Sequence, residues 1–133
     1  MNQQLTFAVL GNPKPKGRPR FTKYGHAYTP KDTKGYEQTV RVAAMAALTQ
    51  WRNENDGCHW NAQGPFALSV FLFFGDRRKR DIDNCLKSIS DALNKLLYDD
   101  DHQLDEIYAA RDYDIRSPRA VVTVRRLRDS EVK

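Results

Sequence analysis

The residues best able to do chemistry lie in the run Asp81-Ile82-Asp83-Asn84-Cys85-Leu86-Lys87-Ser88-Ile89-Ser90-Asp91-Ala92-Leu93 and in the triplet Asp99-Asp100-Asp101. At roughly 100° per residue on a helix, Ile82, Leu86, Ile89 and Leu93 fall on one side, with Asp83, Asn84, Lys87 and Asp91 on the other. The helix therefore presents a polar face opposite a buried one, with Asp81 at its N-cap beside Asp83. Hard divalent cations such as Mg²⁺, with Mn²⁺ as the close alternative, are held by one or two carboxylates plus water and substrate phosphate. Such an ion polarises a phosphoryl oxygen and activates a water, which is the chemistry of phosphodiester hydrolysis. Lys87, one turn beyond Asp83, is placed to meet transition-state charge, and Asn84 is a polar positioner.

Each of these residues also has an ordinary explanation. Asp81 alone is a helix cap, and Asp83 alone is a first-turn carboxylate favoured by the helix dipole. Lys87 and Asp91 form an i, i+4 surface pair, and three consecutive aspartates make a solvated loop. Taken together, beside a long apolar strand and two basic segments, the functional reading is preferred. An EF-hand is disfavoured, because the run lacks the later glycine and terminal glutamate of that loop.

Charge distribution supports the same reading. The net charge is +5, and between Gly11 and Arg41 eight basic residues stand against Asp32 and Glu37. Arg77, Arg78, Lys79 and Arg80 form a second basic knot, whereas Asp99 to Glu106 is acidic with no Lys or Arg. Basic stretches attract a polyanion and an acidic patch repels it, so a bound cation reconciles the two.

The elements that must position these residues follow from periodicity. Leu5 to Leu10 reads as a strand ended by Gly11-Asn12-Pro13, and Lys14 to Thr33 as a long loop rich in Pro, Gly, Lys and Arg. Gly35 to about Trp51 reads as a helix, and Asn53 to Gly64 as a polar, turn-rich segment containing Trp60. Phe66 to Phe74 is the most apolar stretch and is expected to be a central strand, apolar on both faces. A second helix is expected from Ile82 to about Tyr98, with Asp81 as its cap. Strands follow at Leu104 to Tyr113 and Ala120 to Leu127. The order β-α-β-α-β-β predicts an α+β fold, a single mixed sheet with two main helices, as one domain over residues 1–133.

Composition bounds the class. With 40% hydrophobic and 29% charged residues the chain has the balance of a globular protein, and no run of about 18 apolar residues is available to cross a bilayer. The amino terminus lacks a basic start followed by a long apolar stretch, so a cytoplasmic location with no membrane partner is expected. Cys58 and Cys85 have no zinc or redox spacing and are expected to be reduced thiols. His26, His59 and His102 fall in no catalytic pattern.

At these residues the sequence resembles the RusA family of Holliday junction resolvases, found in bacteria and their prophages. The resemblance covers most of the chain. It rests on Asp-x-Asp-Asn-x-x-Lys-x-x-x-Asp-Ala-Leu-Asn at Asp81 to Asn94, Tyr-Asp-Asp-Asp-x-Gln at Tyr98 to Gln103, Pro-x-x-Lys-Gly-Arg-Pro-Arg-Phe at Pro13 to Phe21, and the basic knot before Asp81. It implies a homodimeric, Mg²⁺-dependent endonuclease that cuts four-way DNA junctions by paired nicks. The essential carboxylates of the family align with Asp81, Asp83 and Asp101, with Asp100 as the neighbouring alternative, and its catalytic lysine aligns with Lys87.

Lys16, Arg18, Arg20 and Lys23, with Arg77, Arg78, Lys79 and Arg80, are expected to contact phosphates. Phe21 and Tyr24 interleave with these charges, and packing beneath the loop is preferred over stacking on opened bases. A two-fold dimer matches a substrate that needs two symmetric nicks. The competing readings are a less selective metal-dependent nuclease and a DNA-binding module without catalysis.

Overall fold

Alternation of apolar and polar residues makes Gln4–Leu10 a strand with one buried side: Leu5, Phe7 and Val9 point inward and their neighbours outward. This is β1 in a computed structural model that describes residues 3–28 and 30–127. After a two-stranded ribbon, β2 (Arg20–Phe21) and β3 (Ala27–Tyr28), the chain runs through helix α1 (Lys31–Glu54), β4 (Phe66–Phe74), helix α2 (Ile82–Ala92), a short 3-10 turn at Asp101–Gln103, β5 (Leu104–Tyr113) and β6 (Arg119–Arg126). The expected order is found, with the ribbon added inside the long amino-terminal loop.

The main sheet has the order β1-β6-β4-β5. β4 lies parallel to β5 and antiparallel to β6, so the sheet is mixed, and α2 is the crossover within the parallel pair. Phe66, Leu68, Val70, Leu72 and Phe74 are fully buried, and with Val122, Val124, Ile89, Val40 and Trp51 they belong to one core beneath the two helices. The intervening residues of β4 are not buried, and Phe71 is 41% exposed. The strand is central, but it buries one face rather than the two expected, because both helices pack on the same side.

Helix α1 begins four residues before the expected Gly35. Proline has its φ already set near the helical value, and the Pro30 carbonyl accepts the Lys34 N–H at 3.1 Å, which starts the helix early. Burial of Thr33 and Tyr36 offsets the poor propensity of Gly35. The buried side of α2 is centred on Cys85, Ser88, Ile89 and Ala92, with Ile82 and Leu86 only partly covered.

α2 stops at Ala92, well short of the expected Tyr98. Lys95 adopts φ 65°, a left-handed conformation that no α-helix continues through. Its N–H bonds the Tyr98 carbonyl at 2.8 Å, while the buried Tyr98 hydroxyl donates to the Ser90 carbonyl at 2.8 Å. The chain is thus folded back against the helix it has just left. Trp60, in the polar segment, is buried and donates its indole N–H to the Leu97 carbonyl at 2.7 Å. No helix among the described residues is long and apolar enough to cross a membrane.

Candidate active site

Asp81 occupies the N-cap position of α2 with extended backbone (φ −85°, ψ 126°), yet its side chain makes no capping hydrogen bond. An aspartate at this position ordinarily satisfies a first-turn N–H. Here the carboxylate is exposed, and the Asn84 amide lies 3.5 Å from it. Asp83, in the first turn, is also exposed, and one of its oxygens accepts the Asn84 backbone N–H at 2.9 Å. Two carboxylates and the Asn84 amide therefore share the head of one helix.

The aspartate triplet divides three ways. Asp99 hydrogen-bonds the Gln63 amide. Asp100 caps the 3-10 turn: its Oδ2 accepts the His102 N–H at 3.3 Å, and the Gln103 side chain accepts the Asp100 N–H at 2.9 Å. His102 Nδ1 also lies 2.7 Å from Asp100 Oδ2, and this contact, with the backbone bond, holds the Asp100 carboxyl below its usual range. Asp101 alone turns to α2, where its Oδ2 accepts from Lys87 Nζ at 3.1 Å. The register of the triplet is set by a turn that uses Asp100 as cap and leaves Asp101 facing the helix.

Lys87 is thus both the i, i+4 partner of Asp91, at 2.9 Å, and the partner of Asp101. Its pKa is raised, first by the Asp91 hydrogen bond, against partial burial, and then by Asp101. It is an ammonium throughout the neutral range, suited to meeting negative charge and unsuited to taking a proton. Asp91 is shared: its other oxygen lies 3.3 Å from Lys16 Nζ, which also pairs with Glu37 of α1. Burial works against the charge on Lys16, but Glu37 and then Asp91 outweigh it and raise its pKa.

Glu37 is the participant the sequence did not flag. It sits among ordinary surface charges of α1, and only the three-dimensional meeting of α1, α2 and the amino-terminal loop connects it to Lys87. The loop itself is tied down by the Lys16 N–H bonding the Asn84 carbonyl at 2.9 Å and the Ser88 hydroxyl bonding the Lys14 carbonyl at 2.7 Å.

The basic residues expected at phosphates also separate. Lys16 is held in the ion pairs above, and Arg80 is gripped by Asp76 at 2.8 and 3.1 Å with its guanidinium over the Phe74 ring. Arg77 lies over the Tyr113 ring and is itself exposed. Arg18, Arg20, Lys23, Arg78 and Lys79 are exposed. Phe21 and Tyr24 are exposed as well, which corrects the expectation that they pack beneath the loop.

Among the described residues, no three His, Cys, Asp or Glu side chains already converge to hold a metal ion. Asp81 and Asp83 stand at the head of α2, and Asp101 joins the same helix face through Lys87. The reason lies in the topology: β5 is parallel to β4 and starts opposite Phe66, so the chain must travel back along α2 before Asp101 appears. The donor chemistry nevertheless suits a hard divalent cation, since the available groups are carboxylate oxygens and the Asp81 carboxylate is not used as a cap. The two cysteines do not enter this set; Cys85 is buried on the core side of α2, and burial pushes its thiol up to about 11.

The chain is similar to known proteins. YqaN of Bacillus subtilis (strain 168), an uncharacterized protein, is 28% identical over 145 residues that span 91% of this chain and 95% of that one. The crystal structure of Atu1372 from Agrobacterium tumefaciens, a protein of unknown function, gives a TM-score of 0.48 at 10% identity, covering 91% of this chain and 73% of that one. The family model described as endodeoxyribonuclease RusA matches residues 11–125, which include α1, α2, Asp81, Asp83, Lys87 and Asp101. The chain belongs to the RusA endodeoxyribonuclease family.

Proposed function

We propose that this protein is a Mg²⁺-dependent, structure-selective endodeoxyribonuclease that resolves four-way DNA junctions as a homodimer, by paired symmetric nicks, in the cytoplasm. The observation that carries the proposal is the uncapped Asp81 carboxylate beside Asp83, on a helix whose Lys87 is joined to Asp101, in a chain of this family. Asp81, Asp83 and Asp101 would hold the ion, with Mn²⁺ as an alternative. Asp100 is already engaged as a cap and is the poorer candidate. When bound, such an ion supplies Lewis acidity and a more acidic water.

The chain's own residues do the rest. Lys87, kept charged by Asp91 and Asp101, offers an ammonium to the negative charge that builds on the phosphate. Asn84 orients Asp81. Asp91 holds Lys87 and Lys16 in register with each other. The exposed Arg18, Arg20, Lys23, Arg78 and Lys79 grip the DNA backbone, which fixes orientation without reading bases. One such site cuts one strand, so a two-fold dimer fits a substrate that requires two related cuts.

The test is cleavage of a four-way junction, a flap and a linear duplex at matched salt, with and without Mg²⁺. Wild type should cut the junction preferentially and only with the ion. Asp83→Asn should lose about a hundredfold or more in cutting rate, the scale of removing a group that acts on transition-state charge, while still binding the junction. Equal cutting of all three substrates would leave a less selective nuclease. Normal cutting by Asp81→Asn and Asp83→Asn would remove the site assignment, and no cutting by wild type would leave a DNA-binding module.

A further inference from the structure

We propose that the β2–β3 hairpin is a base-stacking element that engages unpaired nucleobases at a DNA branch point. This rests on the DNA-cleaving reading above and names how the branch is distinguished from plain duplex. The ribbon carries three uncovered aromatic side chains: Phe21 is 69% exposed, Tyr24 76% and Tyr28 45%. Rings that served only the core would be covered.

The tip is shaped rather than loose. The Thr22 N–H bonds the His26 carbonyl at 2.9 Å, and the Gly25 N–H returns to the Thr22 carbonyl at 2.9 Å, with Gly25 at φ +83°. Tyr24 is thereby held at the apex, with the Lys23 ammonium 5.1 Å from its ring centre.

Charge identifies the occupant. From Gly11 to Pro30 there is no Asp or Glu, while Arg18, Arg20 and Lys23 flank the rings. Aromatic faces interleaved with cations suit single-stranded nucleic acid, whose bases stack and whose phosphates pair with the charges. Arg18 and Arg20 also line a groove of about 410 Å³ at the ribbon's root, with Lys14, Gly17, Thr33 and a single carboxylate, Asp32.

The root is what couples the ribbon to the cleavage site. The Lys16 N–H and the Lys14 carbonyl bond Asn84 and Ser88 of α2, and the Gly17 N–H bonds Thr33 Oγ1 of α1 at 2.9 Å. A Cβ on Gly17 would stand 2.7 Å from that hydroxyl, so the approach needs glycine. The root of the hairpin is therefore fixed on the same helix that carries Asp83 and is headed by Asp81, so DNA lying along that helix meets a hairpin whose base is held in place. Bases inside a duplex are covered on both faces by their neighbours, so only splayed or unpaired ones can accept the rings.

The experiment uses a four-way junction with 2-aminopurine at the branch centre, and the full chain in chelator so that nothing is cut. Wild type should change the fluorescence on binding. Phe21→Ala/Tyr24→Ala, with circular dichroism unchanged, should abolish that change and lower the junction-to-duplex affinity ratio about tenfold. Phe21→Tyr/Tyr24→Phe should behave as wild type, whereas Phe21→Leu/Tyr24→Leu should resemble the alanine pair. An unchanged signal and ratio in the alanine pair overturns the proposal, as does full function in the leucine pair, which would point to apolar packing against another surface. Cutting assayed in parallel separates the two readings. Junction cutting with an insensitive hairpin sinks this proposal alone, and hairpin-dependent unstacking without any cutting sinks the nuclease reading alone.

Discussion

Lys16 spans two helices at the scale of single side chains, pairing with Glu37 of α1 and Asp91 of α2, and Asp91 passes the connection on to Lys87. Its substitution should act through a shared carboxylate rather than through DNA affinity. We expect Lys16→Met to lower the cleavage rate at saturating junction about tenfold, the scale of losing a residue that orients a functional group, with little change in half-saturation. Lys79→Met is the contrast: Lys79 is exposed, and its loss should weaken binding uniformly and reduce the salt dependence by about one phosphate contact. Single-turnover rates beside salt titrations separate the two outcomes. Because the pKa values of Lys16 and Lys87 are raised, the network is complete below the ordinary lysine value of 10.5 and is lost as pH rises through the folded values. Cleavage should therefore show no lysine titration between pH 7 and 9. The shared helix of Asp83, Lys87 and Asp91 was legible from their spacing, whereas the contact between Asp101 and Lys87 depends on the turn that follows the helix. The ion pairs of Lys16 were not legible, because Glu37 and Asp91 lie far along the chain on elements whose meeting no local pattern encodes.

Element boundaries were legible wherever composition changed abruptly. β4 falls on the expected Phe66 to Phe74 and β5 on Leu104 to Tyr113, and α2 starts where Asp81 was expected to introduce it. The end of α2 was not legible, because Leu93 and Leu96 continue the apolar spacing and no glycine or proline marks the left-handed residue, which is Lys95. What stops the helix is tertiary: the Tyr98 hydroxyl reaching Ser90, and the Trp60 indole reaching Leu97. Tyr98→Phe removes a buried hydrogen bond and leaves the Ser90 carbonyl short of one partner, a loss of about 1–2 kcal/mol. Thermal unfolding should show a melting temperature lowered by about 3–6 °C. Since the same turn delivers Asp101 to Lys87, cutting should fall in that variant even at temperatures where it remains folded.

For the molecule as a whole, burial sorts the two thiols. Cys85 is fully covered and pushed up to about 11 by burial, whereas Cys58 is partly exposed. An aromatic disulfide reagent at pH 8 should titrate one thiol per native chain and two after denaturation. A thiol whose pKa is raised on folding stabilises the fold below its ordinary value of 9.0, and that contribution is lost as pH rises toward 11. The mixed sheet was legible as a class, but the strand order was not, because it depends on pairings between distant segments. β6 enters between β1 and β4, so Thr6 and Thr123 exchange a hydroxyl hydrogen bond across 117 positions of chain. During synthesis, then, β1 must wait without its neighbour until nearly all of the described chain has emerged. Loop closure over such a span makes acquisition of the native state slow, and the half-made sheet exposes two unsatisfied rims to other chains in the meantime.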